Sequence, residues 1–343
     1  MSALNPSSSI LYPPASMPSS SRIEALDWVK GALVVFMVIY HGINYSAFRP
    51  FAFQYLSFVP PSFILIAGFL VGQVYATKYD LKSWKPYLRL AFRGFKLLVL
   101  FTILNVINCI LLERSFYFGL WLFADRAYTI FISGNGRVGV FEVLLPIAYF
   151  LLLAPALLWF RARVPLLIPL FAASVFLLCF ILERRGANLD NLILLSYGFI
   201  GIAMGLISMA KVNRFAARFV PVLAAYVAYR LASHFNGETY AVQVLASITT
   251  LSLLYCCGAN LRMDNWSWRH MILLGNYSLF GYLAQIVLLR VIVKLFGGLP
   301  QTWGIVCAVI LITTVSLYIT IRLVDSLRRK ARPLDIAYKT IFA

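Results

Sequence analysis

Apolar residues along this chain come in long runs rather than in alternating or one-sided stripes. Ten stretches, near 28–47, 56–76, 91–112, 138–160, 164–182, 191–210, 215–233, 240–260, 271–295 and 302–323, are each long enough to cross a ~30 Å hydrocarbon layer as a helix. The fifth and sixth are the least sharply bounded, because Pro165 and Pro169 interrupt one and glycines crowd the other. Backbone inside lipid must satisfy its own N–H and C=O groups. The pattern therefore predicts an all-α, polytopic transmembrane helix bundle of about ten spans, not an open sheet.

Composition agrees with the pattern. Hydrophobic residues make up 62% of the chain and charged residues 12%, with a mean hydropathy of +0.84, far from the soluble range. Residues 1–21 are Ser- and Pro-rich with no basic segment ahead of an apolar run, so they are expected to be a disordered cytoplasmic tail and not a signal peptide. Residues 22–325 form the transmembrane domain, and 326–343 a basic cytoplasmic tail opened by Arg328-Arg329-Lys330-Ala331-Arg332.

Charge orients the bundle. The net charge is +18. The N-terminus, 77–96, 161–163, 211–218, 261–270 and the C-terminal end, with Lys30 and Arg322 at the membrane edge, hold 21 of the 30 Lys and Arg and 6 of the 12 acids. Every second connection is thus basic, which places both termini in the cytoplasm. The high pI then reflects topology and contact with anionic membrane lipids, with no call for nucleic acid.

The five cysteines lie in apolar runs without CxxC spacing, and His41, His234 and His270 are scattered, so neither a disulfide framework nor a metal site is expected. The connection 113–137 is rich in aromatics and closes with Gly134-Asn135-Gly136. It reads as an interfacial helix in the aromatic belt or as a platform on which sugar rings stack. Gly198, Gly201 and Gly205 have the spacing of close helix packing.

Lys30 and His41 carry the chemistry. Eleven positions at ~100° each return His41 to within ~20° of Lys30, on one helix face and roughly 16 Å further along the axis. A cation at the membrane edge sits directly below an intramembrane histidine, a costly placement that marks a functional site. Asn44 and Tyr45, three and four residues on, reach the imidazole or its substrate, and Asn44 is the expected tautomer-fixing partner. Glu142 and Arg290 fall in the outer halves of their runs and are expected to pair across helices or bind an acceptor. Arg89, Arg93 and Lys96 share one helical stripe, and arginine's fork suits phosphate.

Four segments resemble one family. Leu26-Asp27-Trp28-Val29-Lys30-Gly31 leading to His41 is similar to the Arg/Lys-x10-His signature that opens the acyltransferase-3 superfamily of membrane acyltransferases, which includes glucan succinyltransferases and, more distantly, heparan glucosaminide acetyltransferases. Phe63-Ile64-Leu65-Ile66-Ala67-Gly68-Phe69 resembles the second-helix motif, with Ala67 where serine is usual, and Arg89 to Arg93 the basic entry to the third helix. Phe141-Glu142 through Pro155 is a looser match to a mid-chain helix. Leu274-Gly275-Asn276-Tyr277-Ser278 through Tyr282 to Gln285 resembles the late motif, Gln285 replacing its histidine, so a second histidine takes no part.

The resemblance implies an acyltransferase that takes an acyl group, most commonly acetyl, from cytoplasmic acyl-CoA. The group would pass to a saccharide or glycolipid acceptor at the outer face, in the inner (cell) membrane of a bacterium. His41 would be the catalytic base or acyl carrier, and Lys30, Arg89 and Arg93 would bind the donor. Asp27, Asn44, Tyr45, Glu142 and Tyr282 would support the site, and no resident cofactor or metal is implied. Two other classes stay open on the residues alone. One is a transporter or flippase for a polar lipid or saccharide precursor, using His41, Glu142 and Arg290 as relay groups; the other is a regulatory membrane subunit, against which the intact Lys30 and His41 argue.

Overall fold

The computed structural model describes residues 23–77, 79, 83–133, 140–161, 163–187, 189–236, 239–260 and 266–342. The expected tail 1–21, Lys78, Lys82, the Gly134-Asn135-Gly136 segment and the His234 side chain lie outside the described residues. Among these there are only helices. The chain opens with α1 (Glu24–Asn44), α2 (Arg49–Leu56) and α3 (Val59–Leu70), which runs on into a π-helical turn, Val71–Tyr75. Next come α4 (Lys85–Glu113), α5 (Phe116–Tyr128), α6 (Leu144–Arg161), α7 (Leu167–Arg184) and α8 (Asp190–Met204). They are followed by α9 (Met209–Ala216), α10 (Phe219–Asn236) and α11 (Tyr240–Asn260). The last four are α12 (Trp266–Asn276), α13 (Ser278–Leu295), α14 (Trp303–Lys330) and α15 (Arg332–Phe342).

A helix occupies each of the ten apolar runs, but they are not ten equal spans. Among the described residues, α1, α4, α6, α7, α11, α13 and α14, seven helices, are long and apolar enough to cross a membrane by themselves. An eighth arises if α8 and α9, bent by 100° at their junction, are one broken span, while Val59–Tyr75 and Phe219–Leu231 are shorter apolar helices. The run 271–295 is not one helix, because it breaks at Tyr277, between α12 and α13. The aromatic connection does contain a helix, α5, whose Gly119 lies flat on Ile110 of α4. Within the expected C-terminal tail, residues 326–342 form the end of α14 followed by α15.

α1 is the axis of the bundle. It touches α2, α3, α11, α12, α13 and α14, and 56% of its most apolar window is buried, against 17% for α7 at the periphery. Two glycines set its closest contact. A Cβ on Gly31 would stand 2.0 Å from the Met271 carbonyl oxygen of α12, and one on Gly275 would stand 1.8 Å from the Asp27 carbonyl oxygen of α1. The two backbones therefore lie against each other with nothing between them, the arrangement small residues permit between membrane helices. A second glycine seam joins α3 to α8, where Gly68 and Gly72 meet Gly198, Ile202 and Gly205, and Gly201 meets the Leu65 carbonyl.

α15 is latched to the break before α13. The Tyr277 hydroxyl donates to Asp325 Oδ1 at 2.8 Å and accepts from Arg328 Nη1 at 2.9 Å. Arg328 also donates to Asp335 at 2.6 Å, with its guanidinium 3.9 Å from the Tyr338 ring centroid, and Lys339 pairs with Asp335 at 2.6 Å. Bonds from Lys339 and Arg328 hold the Asp335 carboxyl below the usual carboxylate range. The latch is thus in place above that range and is lost as pH falls through the lowered value.

Two outcomes follow for stability. Gly275→Val should lower the melting temperature of the detergent-solubilised protein by several degrees, because the closest contact is backbone against backbone and cannot repack around a side chain. Protection of the α15 amides, measured as exchange relative to the intrinsic rate at each pH, should be high near neutral pH and fall on acidification below the ordinary carboxylate range. Asp335→Asn should show the low protection already at pH 7.

Candidate active site

Because α1 is one unbroken helix, Lys30 and His41 face the same side of it at different depths, and each lines a different cavity. The His41 cavity, of about 300 Å³, lies between α1, α4, the turn before α6, and α13. Its polar wall is Tyr40, His41, Asn44, Tyr45, Asn108, Glu142 and Arg290. The Lys30 cavity, of about 200 Å³, is walled by α3, α4, α6 and α13 and is almost wholly apolar, Lys30, Ser278 and Tyr282 apart. Val143 and Tyr282 line both.

Within the polar cavity the imidazole of His41 packs edge-on against Tyr40, ring centroids 5.1 Å apart, with Tyr45 at 6.5 Å. Its Nε2 is buried and has no hydrogen-bond partner among the described residues, and the same holds for Asn44 Oδ1. Asn44, the expected tautomer-fixing partner, shares the chamber with His41, and neither of these two atoms bonds the other residue. A buried polar atom without a partner is costly, and such atoms are few in native folds.

Arg290 does not pair with Glu142. It donates from Nη1 to Asn108 Oδ1 at 2.8 Å and from Nε to the Tyr45 hydroxyl at 3.4 Å. Glu142 lies outside the helical part of its run, in the turn before α6, with Arg49 and Asp190 as its charged neighbours. The sequence pattern alone did not single out the residue that sets this turn. Asn105, fully buried on α4, accepts from the Val140 N–H at 2.9 Å and donates to the Val140 carbonyl at 3.0 Å. This two-way clamp precedes Phe141, whose φ of 64° is left-handed, and so aims Glu142 and Val143. The available signal was Asn105 and Asn108 three apart inside an apolar run, an intramembrane polar pair.

At the other end of α1, Lys30 Nζ is 2.5 Å from Asp27 Oδ1, and Asp27 is buried. Arg89 and Arg93 do not line the Lys30 cavity; they stand on the α4 face about two turns and one turn before Leu97, which does. Arg89 donates to the Tyr79 hydroxyl at 2.8 Å and Arg93 to the Tyr75 hydroxyl at 3.3 Å, while the Tyr75 and Tyr79 rings stack at 5.1 Å. Arg161, unremarked in the sequence, donates to the Ala76 carbonyl at 3.1 Å and completes a cationic group around the end of α3. Tyr282 is buried between the Phe63 and Phe141 rings, at 6.5 and 6.1 Å. Gln285, one turn on, is 1% exposed, and neither atom of its amide has a partner among the described residues. No group of three metal-ligating side chains is present among the described residues.

Fold and site together define an integral-membrane helical protein with a histidine-centred polar chamber backed by an apolar one. The family model described as an acyltransferase domain, that of the acyltransferase-3 superfamily, matches residues 23–321, and the chain belongs to that family. Comparison with curated proteins and with solved structures gave no match. The protein is therefore a membrane acyltransferase.

Removal of the Val140 clamp gives a direct check on the construction of the site. Asn105→Leu strands one buried N–H and one buried C=O, at about 1–3 kcal/mol each. It should lower the melting temperature of the solubilised protein and abolish acyl transfer, whereas Asn105→Gln should restore part of both.

Proposed function

We propose that this protein takes an acyl group, acetyl in the simplest case, from cytoplasmic acyl-CoA and delivers it to a saccharide or glycolipid hydroxyl or amine on the far side of the membrane. One observation carries the reading: a single helix puts a cation in the wall of an apolar cavity and a histidine in the wall of a polar one, with two side chains common to both. The charge pattern along the chain supports an orientation with the Lys30 end in the cytoplasm. The arginines around Tyr75 and Tyr79 then offer a forked, aromatic-lined surface to the phosphates of CoA. The acyl thioester enters the apolar chamber beside Lys30, and the acceptor enters the polar one. There, donors and acceptors of both signs on Tyr40, Asn44, Tyr45, Asn108, Glu142 and Arg290 suit a polyhydroxylated ring.

His41 does the chemistry. As general base it takes the proton of the acceptor hydroxyl while the oxygen attacks the thioester carbonyl; the C–S bond breaks, and the CoA thiolate leaves with that proton. As acyl carrier its ring nitrogen attacks first, CoA leaves, and the acceptor oxygen then displaces the imidazole. Retention of labelled acetyl on protein incubated without acceptor distinguishes the second route from the first.

The test is transfer of label from radioactive acetyl-CoA to envelope saccharides by purified protein in proteoliposomes. His41→Ala should reduce transfer by at least ~100-fold with insertion intact, in the range of a lost general base. Lys30→Ala should mainly raise KM for acyl-CoA, and Lys30→Arg should be nearly silent. Wild-type protein that neither transfers nor retains label, yet moves an unmodified lipid-linked saccharide across the bilayer, would make the protein a flippase.

A further inference from the structure

We propose that Val143 and Tyr282 form a septum between the two cavities that passes short, uncharged acyl groups and turns back long or carboxylated ones. The inference rests on the acyl-CoA reading above and adds to it the class of donor. These two residues line both chambers and so stand at the boundary that an acyl group moving from the Lys30 side to His41 crosses. Both are nearly inaccessible, Val143 at 7% and Tyr282 at 5% exposure. Neither is free to swing aside. The Tyr282 ring is held between Phe63 and Phe141, and Val143 follows the left-handed Phe141 that the Asn105 clamp fixes from behind.

Charge sets the second half of the filter. Phe63, Ile66, Leu70, Leu97 and Ile147 surround the donor-side chamber, and Lys30, the one cation in its wall among the described residues, is already matched by Asp27 at 2.5 Å. A terminal carboxylate on the acyl group, as in a succinyl thioester, would give up its water there without meeting an unmatched positive charge. Such a transfer is strongly unfavourable. A neutral acetyl or propionyl group meets no such barrier. Length is limited sterically, because discrimination against one extra methylene in an apolar slot is typically on the order of 10- to 200-fold.

The experiment measures kcat/KM for acetyl-, butyryl- and succinyl-CoA in proteoliposomes, with wild type, Val143→Ala, Val143→Ile and, as blank, His41→Ala. Wild type should fall on the order of tenfold or more from acetyl to butyryl and further still to succinyl. Val143→Ala should raise the butyryl-to-acetyl ratio on the order of tenfold, and Val143→Ile should lower it. Succinyl should stay excluded in both, because its barrier is charge and not width. Equal use of succinyl and acetyl by wild type overturns the charge filter without any variant being needed. A donor ratio unchanged across Val143 variants that elute as single species overturns the septum, as does a change confined to acceptor KM. Wild type that transfers from no acyl-CoA at all fails the proposed function itself, and the septum with it.

Discussion

The backbone contact between α1 and α12 is the constraint on which the remaining geometry hangs. Each of its two glycines sits against a carbonyl oxygen of the opposite helix, leaving no room for any side chain. Lipid supplies no hydrophobic force to hold helices together, so close packing of this kind must do so. It acts at the Lys30 end of α1, beside the Asp27–Lys30 pair, and it anchors the break before α13. Since α1 is unbroken, fixing that end also fixes where His41 sits. One helix thereby sets both depths of the site.

Polar side chains inside the bundle define the rest. Asn105, Asn108 and Asn191 are each buried, and each joins helices or turns distant in sequence. Asn105 clamps Val140, Asn108 holds Arg290, and Asn191 donates to carbonyls of the turn after α5. Without water to take over these bonds, each clamp is worth more as a positioner than as a source of net stability. By contrast His41, Asn44 and Gln285 keep buried polar atoms without partners among the described residues. Satisfied asparagines thus frame a chamber in whose wall His41 and Asn44 keep such atoms.

Much of this was legible in the sequence for plain physical reasons. Run length reports a membrane helix directly, so all ten runs contain helices, and helical periodicity puts Lys30 and His41 on one face. Resemblance to the acyltransferase-3 motifs named a family that the match over residues 23–321 then established. Run length could not report the Tyr277 break, because no proline marks it and both flanks are apolar. Nor could it show α15 as a helix, whose order depends on Arg328 reaching Asp335 and Tyr338 in the fold. The Glu142–Arg290 pairing failed because charge complementarity in one dimension ignores nearer partners. Asn108 and Tyr45 occupy the Arg290 fork. Asn105 went unread because neither it nor Asn108, three residues on in the same apolar run, has a visible partner until the chain folds.

In the function proposed above, the two chambers face opposite sides of the membrane and meet at Val143 and Tyr282. Thiol labelling tests it most directly, in inverted and right-side-out vesicles, on a chain whose five free cysteines are replaced by alanine. A single cysteine at Tyr45, on the polar chamber, should react with an impermeant reagent from the outer face alone. One at Ser278, on the apolar chamber, should be protected from a permeant reagent by acyl-CoA supplied from the inner face alone. Reaction at position 45 from the inner face, or protection at position 278 by outer acyl-CoA, would contradict the account.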